Sequence, residues 1–384
     1  MDQKTIRRVV LSMLILVGIL AACGAEPTTN VELNKPATTQ LPVPADSSEL
    51  IVGELGQTLD DFISEDNPLF SGSVLVAEDG EILLSKGYNY ANWELKAPNS
   101  ALTKYRISSI TKPFTATMVM MLAERGLLNL DERMCTYLPN CPMHWQEITI
   151  LNLLNHTSGV PEYTTLLGAR EQSRDPHNVS DLIDIFRNEA LLFPPGETFQ
   201  YSNSNFILLG AIIEQVTREP YAHFLEKAIL NPLDIEDTGM DYATEILKNR
   251  AAGYQIQGRA LVNAPYLDMS NAYATAGMYS TVGDLFAFDQ ALYSNQLLNQ
   301  EEQEMMYSPH PAADGSGEDY GFGWQLADRD GHRRVGHSGG INGFRVFWGR
   351  YPDDRVTIIL LSNIETEDIE KLVDGLERIV FNQE

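Results

Sequence analysis

Apolar positions fall into strand-like runs at both ends of the chain and helical patterns between them. Residues 73–77 and 82–85 flank Glu78-Asp79-Gly80-Glu81, a hairpin pattern in which Asp-Gly tolerates the positive φ of a tight turn. Helical spacing follows over residues 109–125, where Phe114, Met118, Met121 and Leu122 share a face and Gly126 supplies a stop. The methionines there read as core filling. Residues 127–264 read as short helices and loops, with one strongly apolar helix over 206–216; a further helix is expected over 282–293. Strand patterns return at 322–326, 333–337, 344–349 and 355–361, the last two separated by Tyr351-Pro352-Asp353-Asp354. Ile369, Leu372, Val373, Leu376, Ile379 and Val380 then mark one stripe of a closing helix. Strands joined by short turns imply antiparallel pairing. The expected fold is α+β: one antiparallel sheet built from both chain ends, flanking helices, and an inserted, mainly helical subdomain over about 127–264. No internal repeat is visible.

The first fifty residues follow a different pattern. Lys4, Arg7 and Arg8 precede an apolar run over residues 9–20 that is interrupted only by Ser12 and Gly18. Such a run makes about 18 Å of helix against roughly 30 Å of hydrocarbon, so residues 1–22 read as a signal peptide, not a span. Leu20-Ala21-Ala22-Cys23 resembles the bacterial lipobox, which implies lipidation of Cys23; the alternative is an ordinary signal peptide that happens to meet a cysteine. Residues 23–50, rich in Pro and Thr, read as a flexible tether, leaving 51–384 as the folded domain. The expectation is an exported protein, lipid-anchored in the cell envelope and facing outside the cytoplasm.

Charge narrows the partners. Lys+Arg 27 against Asp+Glu 53 gives −26, which disfavours nucleic acid and anionic lipid surfaces. The membrane is then a partner only through the N-terminal lipid, and the chain is expected to be a monomer. Cys135 and Cys141 lie six apart; in an oxidising compartment they form either a small-loop disulfide or two buried thiols. Neither fits a zinc pattern.

The seven histidines make no HxH or HExxH, and no Walker or dinucleotide loop is present, so neither metal nor organic cofactor is expected. Gly336-His337-Ser338-Gly339-Gly340 satisfies G-x-S-x-G, but a nucleophile elbow needs a helix after the serine and a later histidine as base. Here a strand pattern follows, and His337 is the last histidine. The better nucleophile is Ser109 in Ser109-Ile110-Thr111-Lys112. At a helix N-terminus, i,i+3 spacing puts its hydroxyl and the Lys112 amine on one face. Unpaired N–H groups there suit a developing oxyanion, and a lysine in a closed pocket can lose its proton near neutral pH.

Taken in order, Tyr105-Arg106-Ile107-Ser108-Ser109-Ile110-Thr111-Lys112-Pro113, Leu154-Asn155-His156-Thr157-Ser158-Gly159, Pro195-Gly196 leading to Tyr201-Ser202-Asn203, and His337-Ser338-Gly339 resemble the serine β-lactamase-related hydrolases. That group holds class C β-lactamases, D-alanyl-D-alanine carboxypeptidases and related esterases. The resemblance runs from about residue 55 to the C-terminus and implies a β-lactamase/transpeptidase-like fold. Of three Y-x-N sequences, Tyr201-Ser202-Asn203 has the family's order and loop context, and an extended pair would aim both side chains at one pocket.

Carried over by motif, Ser109 is the nucleophile of an acyl-enzyme, with Lys112 or Tyr201 as proton acceptor. Asn203, His337, Ser338, Gly339 and Gly340 are implied substrate-binding residues. Among them, Ser338 would donate to a substrate carboxylate, and the N–H groups of Ser109 and Gly340 would form the oxyanion hole. His337 stands where many relatives carry lysine, so its charge should follow pH. His156 and Arg106 read as structural. A histidine in the third motif, with no glutamate marked as a deacylation base, favours a D-alanyl-D-alanine carboxypeptidase-like enzyme or another D-amino-acid peptide hydrolase over efficient β-lactam turnover. The substrate would be a small peptide, amide or ester, with a peptidoglycan stem peptide as one candidate. The alternatives are a class C-like β-lactamase or esterase and, from another class, a non-catalytic peptidoglycan-binding envelope protein.

Overall fold

The computed structural model describes residues 49–166 and 172–381. The signal peptide, Cys23 and nearly all of the tether lie outside the described residues. No described helix is long and apolar enough to cross a membrane.

Both chain ends build one seven-stranded sheet. Its strands are β1 (Leu50–Ile51), β2 (Gly72–Glu78), β3 (Glu81–Tyr88), β4 (Gln325–Arg329), β5 (His332–Ile341), β6 (Phe344–Tyr351) and β7 (Val356–Ser362), in spatial order β1-β3-β2-β7-β6-β5-β4. Every neighbouring pair is antiparallel. The β2–β3 turn is made by Asp79 and Gly80, both at positive φ (51° and 82°). β2 and β7 read as continuous apolar runs because both sheet faces are covered. Val74, Val76, Ile358 and Leu360 pack with Leu59 of helix α1 (Gly53–Asp61) and with Leu372, Val373 and Leu376 near the C-terminus. The alternate residues Leu75, Ala77, Ile359 and Leu361 face the larger core.

That core is organised by helix α2 (Thr111–Glu124), whose residues are buried without a break from Thr111 to Leu122. Such a helix has no solvent face, which accounts for its many methionines. Phe114 of α2 stacks on Phe288 at 4.0 Å, and Phe288 meets Trp348 of β6 at 5.7 Å, joining helix layer to sheet. Between α2 and β4 lie mostly short helices, the longest being α3 (Asn203–Thr217), followed by α4 (Val282–Ala291); the last helix, α5 (Ile369–Phe381), closes the chain. Cys135 and Cys141 are joined as a disulfide.

Two expectations need correction. The strand expected at 322–326 begins only at Gln325 and runs to Arg329. Phe322 and Trp324 are apolar because they are buried in the preceding turn, where Gly323 takes φ +75°. The helix expected from residue 206 starts at Asn203, three residues earlier.

A buried ion pair ties α4 to the sheet. Arg350 Nε of β6 donates to Asp289 Oδ1 at 2.7 Å, and Thr357 Oγ1 donates to Oδ2 at 2.7 Å. Both charged side chains are at most 1% exposed. Asp289→Ala leaves the guanidinium buried without a counter-charge and is expected to cost about 3–5 kcal/mol. Urea unfolding measures it; an unchanged midpoint would show that the pair contributes nothing.

Candidate active site

Ser109 sits in a 3₁₀ turn, Ser108–Ile110, between the short strand Tyr105–Arg106 and α2. The turn is held from two sides. Ile107 N–H donates to Met278 O at 3.0 Å, and Ser108 Oγ donates to Gly340 O of β5 at 2.9 Å. Ser108 takes φ +48°, a costly conformation for a side-chain-bearing residue that turns the backbone directly ahead of Ser109. Gly339 is glycine for a steric reason: a Cβ there would lie 2.9 Å from the Ser108 side chain.

One helical turn on, Lys112 is fully buried. Its Nζ donates to Ser109 Oγ at 3.2 Å, Asn203 Oδ1 at 2.8 Å and Thr275 O at 3.1 Å, and lies 4.8 Å from the Tyr201 ring centroid. Burial lowers its pKa to about 7, against an opposing pull from the Glu162 carboxylate. The Tyr201 hydroxyl is hydrogen-bonded to Ser109, yet burial, reinforced by Glu162, holds the phenol above its ordinary value. The amine is thus the more readily available proton acceptor.

Asn203 is positioned by its helix. The extended dipeptide expected here is only half present: Ser202 is extended (φ −141°, ψ 122°), but Asn203 is already the first residue of α3. Its backbone N–H donates to Glu162 Oε2 at 2.5 Å, so a carboxylate from another segment caps the helix N-terminus. Its Oδ1 accepts from both Lys112 and Thr275 Oγ1, the latter at 2.7 Å.

His337 departs most from expectation. It is 1% exposed, with Nδ1 donating to Ser338 O at 2.6 Å and Nε2 accepting from the Tyr320 hydroxyl at 3.2 Å. Burial, with the Lys112 charge adding to it, pushes its pKa down to about 3. The ring is therefore neutral across the ordinary pH range, and the expected pH-dependent charge is corrected. Ser338 is held by Gln325, whose Oε1 accepts from Ser338 N at 3.0 Å and Oγ at 3.3 Å. β5 continues through Ser338 to Ile341, so no helix follows this serine.

His156 is buried at φ +59°, accepts from Ser202 N–H at 3.2 Å, and lies 4.4 Å from the Tyr201 ring. Arg106 is anchored to Asp241 at 2.7 Å. A cleft of about 340 Å³ opens beside Ser109, with Tyr163, Asn203, Thr275, Gly340 and Asn342 also on its wall. Among the described residues, no group of three or more His, Cys, Asp or Glu could hold a metal ion.

Glu162, Thr275, Tyr320 and Gln325 escaped the sequence reading. Glu162, six residues after His156 in the second motif, had a positional signal; the other three had none.

The family model described as Beta-lactamase matches residues 59–378. Penicillin-binding protein 4* of Bacillus subtilis (strain 168) is 34% identical over 347 residues, covering 85% of this chain and 76% of the relative. Among solved structures, D-amino acid amidase from Ochrobactrum anthropi SV3 complexed with L-phenylalanine amide aligns with a TM-score of 0.77 at 25% identity, over 86% of this chain and 99% of that one. The octameric penicillin-binding protein homologue from Pyrococcus abyssi aligns at 0.75 and 26%, over 86% and 78%.

Proposed function

The chain belongs to the β-lactamase family and is a serine hydrolase, and from that premise we propose that it cleaves D-amino-acid peptides and amides through an acyl-enzyme on Ser109. The observation that carries this reading is a buried lysine with a pKa near 7, 3.2 Å from the Ser109 hydroxyl. The likeness to a D-amino acid amidase supports the substrate class.

In the proposed sequence Lys112 takes the Ser109 proton as Oγ bonds to the substrate carbonyl carbon. Backbone N–H groups of Ser109 and Gly340 stabilise the oxyanion. The C–N bond then breaks, and the departing amine receives the proton through the Tyr201 hydroxyl. Water adds to the ester with the same groups reversing their roles, the C–Oγ bond breaks, and the acid leaves. Asn203 holds Lys112 and the substrate amide.

We place this domain over residues 50–384, one residue earlier than expected because Leu50 already pairs with Ser85 in the sheet, with its helical part at about 127–264, outside the cytoplasm. The N-terminal sequence supports a signal peptide, lipidation at Cys23 and a tether to the envelope membrane, with the folded domain monomeric.

Intact-protein mass spectrometry tests the chemistry. A fluorophosphonate is expected to add one mass to the wild type and none to Ser109→Ala, and penicillin to leave a slowly formed, lasting adduct. Hydrolysis of D-phenylalanine amide in preference to the L-amide tests the substrate class. Labelling without amide hydrolysis would favour an esterase, and rapid penicillin turnover a β-lactamase. No covalent mass with either reagent would favour a non-catalytic peptidoglycan binder.

A further inference from the structure

Three other rings surround the ring of Tyr201, and those three are locked to one another. The Tyr201 hydroxyl is hydrogen-bonded to Ser109. Its ring lies 4.4 Å from the His156 ring, 6.0 Å from the Tyr320 ring and 6.2 Å from the His337 ring, centroid to centroid. All three neighbours are buried, none more than 3% exposed. They come from separate segments: His156 from the second motif, Tyr320 from the stretch ahead of β4, and His337 from β5. The carbon ring of a phenol offers no polar atom by which to aim it, so the direction of the Tyr201 O–H follows from where these neighbours stand.

One chain of hydrogen bonds fixes all three. Ser202 N–H, from the residue next to Tyr201, can only donate, and it meets His156 Nδ1 at 3.2 Å, where Asn205 Nδ2 also donates at 3.1 Å. The His156 proton is therefore on Nε2, which donates to the Tyr320 oxygen at 3.2 Å. That hydroxyl in turn donates to His337 Nε2 at 3.2 Å, and His337 Nδ1 donates to Ser338 O at 2.6 Å. Tyr320 is the middle link: its single oxygen accepts from one imidazole and donates to the other. Without it two buried ring nitrogens lose their partner, and the rings must turn or admit water to satisfy them. Either change loosens the packing around Tyr201.

We infer that Tyr320 is a positioning residue for the Tyr201 hydroxyl: it locks the two imidazoles against which the Tyr201 ring rests, and so aims that hydroxyl at the leaving group. The inference rests on the acyl-enzyme reading above. In that sequence the Ser109 proton, taken by Lys112, reaches the departing nitrogen through Tyr201 as the C–N bond breaks and its electron pair stays on nitrogen. An amide nitrogen cannot leave without that proton, whereas 4-nitrophenolate can. A misaimed hydroxyl therefore slows amides and spares activated esters.

Two substrates with one acyl group test it. D-phenylalanine amide and D-phenylalanine 4-nitrophenyl ester give the same acyl-enzyme and differ only in the group that departs. In Tyr320→Phe, kcat/KM is expected to fall about 10- to 100-fold for the amide and less than about threefold for the ester. A purely structural role would lower both alike, so an unmoved amide-to-ester ratio overturns the inference, whether the rates fall or not. If the wild type cleaves the ester but not the amide, the amide reading fails on its own, and phenyl acetate against 4-nitrophenyl acetate poses the same leaving-group question.

A double-mutant cycle locates the cause. Tyr201→Phe should lower the same ratio, and adding Tyr320→Phe to it should lower the ratio no further, since no hydroxyl remains to be aimed. A further fall of about tenfold in the Tyr201→Phe background would give Tyr320 a task apart from Tyr201 and overturn the inference. If Tyr320→Phe does not fold, His156→Gln breaks the same chain from another segment. Its amide-to-ester ratio is expected to fall likewise, and an unmoved ratio there also overturns the inference. Each ratio is measured on one preparation, so partial misfolding of a variant does not alter it.

Discussion

Ser109→Ala is expected to lower kcat/KM for any amide the enzyme cleaves by about 10⁴- to 10⁶-fold, the scale on which other serine hydrolases lose activity with their nucleophile. No neighbouring group can stand in. Ser108 points its hydroxyl at Gly340 O, and Ser338 is held by Gln325, so neither presents a free oxygen to the carbonyl that Ser109 would attack. The substitution should leave the fold in place. Lys112 keeps two of its three acceptors, Asn203 Oδ1 and Thr275 O, and the methyl group fits where the hydroxymethyl was. Steady-state kinetics beside a thermal melt make the test: a large fall in rate with a nearly unchanged Tm. Residual activity within about tenfold of wild type would assign the nucleophile elsewhere.

Much of this architecture could be read before any coordinates. The apolar runs of β2 and β7 announced strands because a sheet covered on both faces demands them. The pattern over 109–125 announced α2, since burial on all sides still leaves apolar residues at helical spacing and a terminating glycine, Gly126, at positive φ. What failed were features that sequence neighbours do not determine. Phe322 and Trp324 looked like strand residues, but their burial belongs to a turn that Gly323 makes possible. His337 looked like a titrating group because its chain neighbours, Gly336 and Ser338, carry no hint of Tyr320 or Lys112, which reach it only in the folded state. Thr275 likewise meets Asn203 and Lys112 from 72 and 163 positions away. The motif positions were legible because their chemistry is local to short segments. The electrostatics that tunes them was not, because it depends on what the fold packs against those segments.

The tuning of Lys112 gives the second large effect, and it couples rate to stability. With a pKa near 7, the amine is half deprotonated at neutral pH, so kcat/KM should climb through an acid limb centred there and fall about tenfold per pH unit below it. A phenolate base at Tyr201, whose pKa is pushed upward by burial, would put that limb far into alkali instead. Lys112→Met should remove the limb and cost about 10²- to 10⁴-fold in kcat/KM. The same burial penalises the folded state. An unfolded lysine titrates near 10.4, so below pH 7 both states are protonated and the full cost of burying the ammonium is present. Between pH 7 and about 10 the unfolded chain binds one more proton than the folded one, and the wild type gains stability as pH rises. Lys112→Met carries no such charge, so its advantage over wild type should be greatest at pH 6 and shrink by a few kcal/mol toward pH 10. Unfolding curves for both proteins across that range isolate the one residue, because every other titrating group is common to both. A stability difference that stays constant with pH would mean that Lys112 remains charged in the folded protein and accepts no proton from Ser109.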